Sequence, residues 1–333
     1  MSAKRHDVLG IGNALVDILA RADEAFLGQH HIAKGAMQLV DEAGADALYA
    51  AMGPTTTVSG GSASNTIAGV AALGGRGALI ARVRKDDLGA AFAHDLHAMG
   101  VAFPTAPAGE GPGTGRCFVL VTPDGERSMS TYLGAGQDLS PADLDEDMIA
   151  ASDIIYLEGY LWDPPQAKVA FLRAAEVAHA SGGRVAITLS DAFCVDRYRD
   201  EFNNLIDSKV VDIVFANTHE VTSLYQTADF ETALGELAQR DVLGVVTRSE
   251  KGCVILNGGQ RIAVPAAPIG TLVDTTGAGD LFAAGFLFGL ARNAPLEICG
   301  QIGAIAAAEV IQHMGARPVA DLKQLIAQSG LKF

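Results

Sequence analysis

The sequence predicts an α/β protein in which helices cover both faces of a mainly parallel sheet. From about residue 150 onward, short β-rich runs alternate with longer helical patterns, and this alternation is typical of parallel sheets. Hydrophobic residues make up 49% of the 333-residue chain, which is enough to fill a sizeable core. No segment repeats at a period of roughly 20–50 residues, so a solenoid or propeller is not expected.

The elements of the second half follow one another regularly along the chain. The predicted strands cover 153–157, 184–190, 211–217 and 243–248, and the predicted helices between and after them cover 166–180, 197–206, 220–224 and 230–240. A hairpin around the Asn-Gly-Gly turn at 257–259 comes next. Two strongly apolar helices near 278–291 and 295–313 and a short final helix complete the prediction.

The first half is mixed. It combines a buried strand at 6–13, an extended segment at 15–22, helices near 64–73 and 86–99 that we assign to the main body, and a hairpin at 114–133. Antiparallel pieces do not fit inside a parallel sheet, so we expect a small separate layer that could form a lid. The chain would then be one domain over 1–333, with a lid built from segments near 13–40 and 103–135. The Gly/Pro-rich stretch 104–115 suits a flexible connection.

Composition excludes several classes of function. A formal net charge of −15 argues against a nucleic-acid partner, because phosphate backbones are bound by clustered Lys and Arg. The four cysteines are scattered singly, which favours free thiols in a reducing compartment over disulfides or a zinc site. The N-terminus lacks a signal-peptide pattern, and the longest apolar stretch, 281–291, is too short to span a bilayer. We therefore expect a cytoplasmic protein without a membrane partner.

The strongest chemical signal is the segment DTTGAGD at 274–280, which runs directly into an apolar helix. Gly277 and Gly279 allow a tight turn that exposes backbone N–H groups, and the helix N-terminus stabilises an anion at the same place. Asp280 would remain ionised there and could accept a proton from a substrate hydroxyl. The alternative is an ordinary glycine-containing turn with the aspartate as a helix cap.

A second segment, VSGGSASNT at 58–66, also leads into an apolar helix. It lacks the lysine and the spacing of a P-loop. Gly60 and Gly61 permit close approach of a ligand, and the Asn65 amide can both donate and accept, which suits a polyol. The alternative is a helix start capped by Ser62 or Ser64.

Two further carboxylates are candidates for a site. Asp17 lies in the apolar run LVDIL, where burial of an unpaired carboxylate is costly and a grip on two sugar hydroxyls would satisfy it. Glu220, in NTHE at 217–220 after a strand, could order water around Mg²⁺, or form a capping box with Asn217, or do both. The GIGNAL segment at 10–15 lacks the third glycine of a dinucleotide-binding fingerprint, which weakens an NAD-dependent oxidoreductase. The histidines show no ligand spacing.

Together these segments resemble a known family. The stretches 58–75 and 274–290 resemble the two signature regions of the PfkB (ribokinase-like) carbohydrate kinases, and 217–220 resembles the NxxE motif of that family. The stretch 245–256 resembles its nucleotide-side strand pair. The resemblance covers nearly the whole chain. It implies a ribokinase-like three-layer α/β/α fold with a small β lid, and transfer of the γ-phosphoryl group of Mg·ATP to a hydroxyl.

The resemblance also implies roles for individual residues. The catalytic base would be Asp280, with an anion hole at Gly277, Ala278 and Gly279. The acceptor would be held by Asp17, Gly60, Gly61 and Asn65. Mg²⁺ would be organised by Glu220 with Asn217. The nucleotide pocket would be lined by Asn217, Thr247, Gly252, Gly279 and the segment 308–315, which contains His313. Some family members bind K⁺ near the segment matching Asp274 and Thr276, which leaves a K⁺ site open here.

Within the family, the stretches 12–20, 126–135 and 187–202 resemble the members that phosphorylate adenosine more than those that phosphorylate ribose. Arg127 matches an arginine that reaches the phosphates in those enzymes. We therefore expect adenosine as acceptor and AMP as product, with Phe103, Phe193 and Tyr132 as candidates to stack on the base. The alternatives are a sugar kinase of the ribose, fructose or 2-keto-3-deoxygluconate class and a non-catalytic sugar- or nucleoside-binding protein. A monomer and a lid-mediated homodimer both remain open.

Overall fold

A computed structural model describes residues 4–332. Residues 1–3 and 333 lie outside this range, and with them the start of the N-terminal segment that lacks a signal-peptide pattern. The strands are β1 His6–Ile11, β2 Leu15–Arg21, β3 Met37–Leu39, β4 Thr56–Gly60, β5 Gly77–Ile80, β6 Gly115–Val121, β7 Arg127–Tyr132, β8 Ser152–Glu158, β9 Arg184–Thr188, β10 Ile213–Asn217, β11 Leu243–Thr247, β12 Cys253–Asn257 and β13 Gln260–Val264. The α-helices are α1 Glu24–Gln29, α2 Glu42–Ala51, α3 Ser62–Ala72, α4 Asp87–Ala98, α5 Glu146–Ala150, α6 Pro165–Ala180, α7 Ala192–Asp207, α8 Thr218–Leu224, α9 Phe230–Ala238, α10 Ala278–Ala291, α11 Leu296–Val310 and α12 Leu322–Ser329.

The main sheet has the strand order β13-β12-β11-β10-β9-β8-β1-β5. The six neighbouring strands β5, β1, β8, β9, β10 and β11 run parallel to one another. Strands β12 and β13 form the antiparallel hairpin expected at 257–259. Helices α3, α10 and α11 pack on one face and α6, α8 and α9 on the other. The predicted three-layer α/β/α fold with a mainly parallel sheet is thus confirmed.

A second sheet has the strand order β3-β7-β6-β2-β4. Strand β2 alternates buried and partly exposed residues, because one of its faces covers a core and the other faces a cleft. Helices α2 and α4 pack on the core face of this sheet. Four of its five strands lie in the segments predicted to form a lid, and the fifth, β4, lies outside both.

Several boundaries and placements differ from the predictions. Helix α7 begins at Ala192, not at 197, and contains a non-helical residue at Tyr198 where two helical pieces meet. The helix expected at 86–99, which we assigned to the main body, packs mainly against β2 and β4 of the second sheet. Its apolar stripe, with Phe92 and Leu96, covers that sheet. In residues 4–332, no helix is long and apolar enough to cross a membrane.

Helices α10 and α11 approach each other through glycines. A Cβ atom added at Gly285 would lie 2.7 Å from the backbone of Gly303, closer than atoms can pack. Helix α10 is apolar on all sides because it is buried between the sheet, α3 and α11. This close contact fixes the position of the helix whose first turn carries Asp280.

We predict that Gly285→Ala lowers the free energy of unfolding by about 1–3 kcal/mol, since the added methyl group must push the two helices apart. The matched control is Gly235→Ala, at an exposed position of helix α9, where an added Cβ has no neighbour within 4 Å. That variant should be stabilised by about 0.5–1 kcal/mol through helix propensity. Urea unfolding measures both changes, and equal effects at the two positions would contradict the packing argument.

Candidate active site

One large cleft lies between the two sheets, at the carboxyl ends of the main parallel strands. Thr188, Asn217 and Thr247, the last residues of β9, β10 and β11, line it on one side. The inner face of the second sheet lines the other. Open α/β sheets bind ligands at this edge. A cavity volume of about 2160 Å³ leaves room for two small molecules side by side.

Helices α3 and α10 both point their first turns into this cleft. Each begins on a glycine in a positive-φ conformation, Gly61 (φ 91°) and Gly277 (φ 78°), with no capping side chain. By contrast, seven other helices in the described chain begin on an aspartate that caps a backbone amide: Asp23, Asp41, Asp86, Asp145, Asp191, Asp229 and Asp321. The alternatives of a Ser62 or Ser64 cap and of an Asp280 cap are therefore wrong. Because no N-cap side chain occupies them, several first-turn amides remain available to an anionic ligand, although Ala63 N donates to Glu158 and Ala278 N to Thr275 O.

The anion turn at 277–279 is tightly packed from behind. A Cβ atom at Gly277 would lie 2.7 Å from the Cβ of Ala316, whereas one at Gly279 would meet open space. The amide of Ala278 already donates to the carbonyl of Thr275 at 3.2 Å. The amides of Gly279 and Asp280, which have no partner inside the helix, are therefore better placed to bind an oxyanion.

Asp280 occupies the first turn of α10 and accepts two hydrogen bonds from α3. Ser62 Oγ donates at 2.7 Å and Asn65 Nδ2 at 2.9 Å. Burial raises the pKa of Asp280, while these two donors and the charge of Arg317 act in the opposite direction. The expectation of a carboxylate that simply remains ionised is thus too simple, and a raised pKa suits a proton acceptor better.

Asp17 faces Asp280 across the cleft. It makes no side-chain hydrogen bond to any described residue, and burial raises its pKa to about 7. A Cβ atom at Gly60 would lie 2.5 Å from the Asp17 carboxylate, so only glycine leaves room beside it. Asn65 Oδ1 is also buried without a partner among residues 4–332. These free acceptors can accept hydrogen bonds from the hydroxyl groups of a polyol.

Arg317 is a residue of this site that the sequence did not reveal. It lies in the segment after α11 and donates to Ser59 O at 3.0 Å, Ser64 O at 2.7 Å and Ser64 Oγ at 2.8 Å. Its charge acts on both Asp17 and Asp280, and burial lowers its own pKa to about 10. Its partners are about 250 positions away in sequence, and the only signal was an isolated arginine in the polar loop at 311–321.

Glu158, at the end of β8, binds the first turn of α3 and the loop after β1. It accepts from Ala63 N at 2.8 Å and from Asn13 Nδ2 at 2.7 Å, and burial raises its pKa to about 7. A Cβ atom at Gly12 would lie 2.4 Å from the Glu158 carboxylate. Glycine at that position therefore serves the packing of the first loop, and this local role explains the incomplete dinucleotide fingerprint.

Asn217 and Glu220 form the capping box that was one of the two alternatives. Asn217 Oδ1 accepts from Glu220 N at 2.9 Å, and Glu220 Oε2 accepts from Asn217 N at 2.9 Å. Burial raises the pKa of Glu220 to about 7. Both residues also line the cleft, next to Thr247 and Gly252. Capping and an outer role toward a hydrated metal ion are therefore compatible here.

Arg127 and His313 lie at the edge of the anion turn. The guanidinium of Arg127 reaches from β7 to Asp274, with Nη2 2.6 Å from Oδ2. His313 does not line the cleft; its Nε2 lies 3.1 Å from Glu309 Oε1 and its Nδ1 3.3 Å from Met314 O. The segment 308–315 still borders the cleft through Ala308, Ile311, Met314 and Gly315, and His313 holds this segment in shape.

The three aromatic residues considered for stacking on a base all lie away from the cleft. Phe103 packs against Phe92 in the core, with ring centroids 5.5 Å apart. Tyr132 is covered by Arg116 on the second sheet, and Phe193 is exposed on α7. That expectation was wrong because sequence position does not show which face of an element an aromatic ring occupies.

The site combines a carboxylate of raised pKa, helix amides that are free to bind an anion and, opposite them, groups that accept hydrogen bonds from hydroxyls. This combination defines a phosphotransferase that acts on a hydroxyl group. Comparisons with known proteins agree. The family model of the pfkB family carbohydrate kinases matches residues 39–322. The chain therefore belongs to the pfkB family of carbohydrate kinases.

Individual relatives resemble the chain over nearly its whole length. A solved structure described as a probable sugar kinase protein from Rhizobium etli is 52% identical, with a TM-score of 0.93, and the match covers 98% of this chain and 99% of that one. The adenosine kinase from Sinorhizobium meliloti is also 52% identical, with a TM-score of 0.92 and the same coverage. The adenosine kinase of Saccharomyces cerevisiae is 28% identical over 92% of this chain and 94% of its own length.

We predict that kcat/KM for the phosphoryl acceptor rises with pH through an acid limb near pH 7. The ionised carboxylate of Asp17, whose pKa is about 7, is the form that accepts hydrogen bonds from hydroxyls. The pH dependence of kcat/KM reports the pKa values of groups in the free enzyme. The measurement is initial rate at low acceptor concentration between pH 5.5 and 9. A flat profile between pH 6 and 8 would remove Asp17 from the acceptor site.

Arg317→Met should move this limb to higher pH, because the positive charge that lowers the pKa of Asp17 and Asp280 is gone. Arg173→Met is the matched control, since Arg173 pairs with Glu146 on the protein surface, outside the cleft. The control should keep the parent profile. Identical profiles for both variants would show that Arg317 has only a structural role.

Proposed function

We propose that this kinase phosphorylates a nucleoside, with adenosine as the preferred acceptor and AMP as product. The observation that carries the proposal is the inner face of the second sheet, directly beside Asp17. Apart from Asp17 and Arg127 it carries an apolar patch that includes Leu15, Leu19, Cys117, Val119 and Met129. A nucleoside presents a polar ribose to Asp17 and a flat heteroaromatic base to this wall, whereas a free sugar would lose hydration against it without compensation.

The proposed mechanism is in-line transfer of the γ-phosphoryl group of ATP to the primary hydroxyl of the ribose. Asp17 and Asn65 Oδ1 would accept hydrogen bonds from the ribose hydroxyls and so hold the reacting oxygen near Asp280. Asp280 would take the proton of that oxygen as the bond to phosphorus forms. The amides of Gly279 and Asp280 would stabilise the charge on the transferring group. Closure of the second sheet would exclude water and limit hydrolysis.

The donor is assigned to the other half of the cleft, along the ends of β10 and β11. The supporting residues are Asn217, Thr247 and Gly252, which line that half. Mg²⁺ bound to the phosphates would neutralise their charge, and it keeps several waters of its own. Asn217 and Glu220 suit contact with those waters, because an oxygen that accepts one hydrogen bond retains a second lone pair.

The small-molecule acceptor also agrees with the charge of the chain. A net charge of −15 disfavours nucleic acid as a partner. The four cysteines are free and buried, as predicted, and this supports a reducing, cytoplasmic location. The exposed edge strands β3 and β4 of the second sheet leave both a monomer and a dimer through the lid compatible with the proposal.

A sugar kinase is the second candidate, favoured by the similarity to the protein from Rhizobium etli. We predict turnover on adenosine and none on free ribose in an ADP-release assay with Mg·ATP. The panel is adenosine, inosine, guanosine, ribose, fructose and 2-keto-3-deoxygluconate. Turnover on a free sugar alone would overturn the adenosine assignment and keep the kinase chemistry. Binding of adenosine without any turnover would support a non-catalytic binding protein.

We further predict that Asp280→Asn lowers kcat by about 10²–10⁴-fold, the contribution typical of a positioned general base. Adenosine affinity measured by calorimetry should change little, because the amide keeps the size of the side chain. Asp241→Asn, at an exposed ion pair with Lys209, is the matched control and should behave like the parent. Parent-like turnover of Asp280→Asn would contradict the assignment of the base.

A further inference from the structure

Asp274, at the start of the anion turn, is a buried carboxylate with every oxygen in use. Its side chain is 2% exposed. Oδ1 accepts from Thr276 N at 3.0 Å, and Oδ2 accepts from Gly315 N at 2.8 Å. Asp274 thereby joins the anion turn to the segment after α11. A positive partner favours the ionised form of a carboxylate buried in this way.

The positive partner is supplied by the second sheet. Arg127, at the first position of β7, places Nη2 2.6 Å from Asp274 Oδ2, and its Nη1 donates to Thr276 Oγ1 at 2.6 Å. Its side chain is only 10% exposed. One guanidinium therefore binds both the carboxylate and the hydroxyl that begin the anion turn. Its planar fork of donors is well suited to hold two oxygens at once.

The K⁺ site implied by family resemblance does not fit these residues. K⁺ near Asp274 and Thr276 would use the carboxylate and hydroxyl oxygens that the guanidinium already occupies. A second cation there would also be repelled by Arg127 at close range in a poorly solvated place.

We propose that Arg127 acts as a built-in cation for the anion turn, so that this kinase needs no K⁺. Arg127 is a positioning residue: it balances the charge of Asp274 and fixes Thr276, and these two residues set the course of the chain into Gly277–Gly279. Because Arg127 belongs to the second sheet, the anion turn is fully ordered only when that sheet lies over the cleft. The inference rests on the proposed function only for the choice of acceptor in the assay.

The first test uses the parent protein without a variant. ADP release from Mg·ATP with adenosine is measured in KCl, NaCl and tetramethylammonium chloride at equal ionic strength, and thermal unfolding without nucleotide is followed in the same salts. We expect the rates in the three salts to agree within about twofold and the melting curves to coincide. The guanidinium of Arg127 occupies the cation position whatever salt is present. K⁺-specific activation of fivefold or more, or a K⁺-specific rise in melting temperature, would overturn the proposal.

The second test removes the built-in cation. Arg127→Met should lower turnover at least tenfold in tetramethylammonium chloride, and KCl should restore at least threefold of that loss by occupying the vacated position. Arg127→Lys, which keeps the charge, should show no response to K⁺. Arg261→Met, which removes an exposed ion pair with Glu231, is the matched control and should keep parent turnover in every salt. A loss in Arg127→Met without any response to K⁺ would contradict the cation role.

The two proposals fail in different ways. If adenosine is not phosphorylated in any salt, the proposed acceptor is wrong, while the melting curves of the parent and of Arg127→Met still test the cation. If Arg127→Met does not fold, the salt series of the parent protein remains decisive. If adenosine is phosphorylated and K⁺ is required, the acceptor stands and the role of Arg127 is wrong.

Discussion

The meeting of two helix starts at Asp280 is the contact on which the rest of the site depends. Ser62 and Asn65, in the first turn of α3, donate to this carboxylate in the first turn of α10. Lower down, a Cβ atom at Gly69 would lie 2.7 Å from the Cβ of Ala284, so the two helices are in close contact along their length. One rigid unit therefore holds the free amides of α10, the proton-accepting carboxylate of Asp280 and the Ser62 and Asn65 side chains that donate to it.

The parts of this unit that are local in sequence could be predicted. Each main strand is a short run of buried residues and each helix has its own pattern, so local periodicity was sufficient. The two glycine-rich turns were also recognisable from the sequence. The structure shows why glycine stands there: a Cβ atom at Gly60 or Gly277 would lie too close to Asp17 or Ala316. Local rules failed where helix capping was concerned, since an uncapped start is visible only once the ligand-facing side is known.

The parts that depend on distant partners could not be predicted. Arg317 binds the backbone around Ser59 and Ser64, and the sequence offers no rule that connects positions so far apart. Strand β4 is polar along its outer residues, so it lacks the apolar run that marks a strand, and pairing with β2 decides its conformation. Arg127 was expected near phosphates; its ion pair with Asp274 follows from the docking of one sheet over the other.

Charge balance explains why the two sheets must act together. Asp17 comes from the second sheet and Asp280 from α10. Burial raises the pKa of both carboxyl groups and so favours their neutral form. Arg317, in the segment after α11, offsets this effect on both carboxylates and also binds Ser59 of β4, so it joins the main body to the second sheet, as Arg127 does at the anion turn. The main body thus carries the proton acceptor Asp280, and the second sheet adds the carboxylate of Asp17 and the guanidinium of Arg127 to the cleft. Under the proposed function, acceptor selection and assembly of the anion turn are linked through the same sheet, because β2 carries Asp17 and β7 carries Arg127.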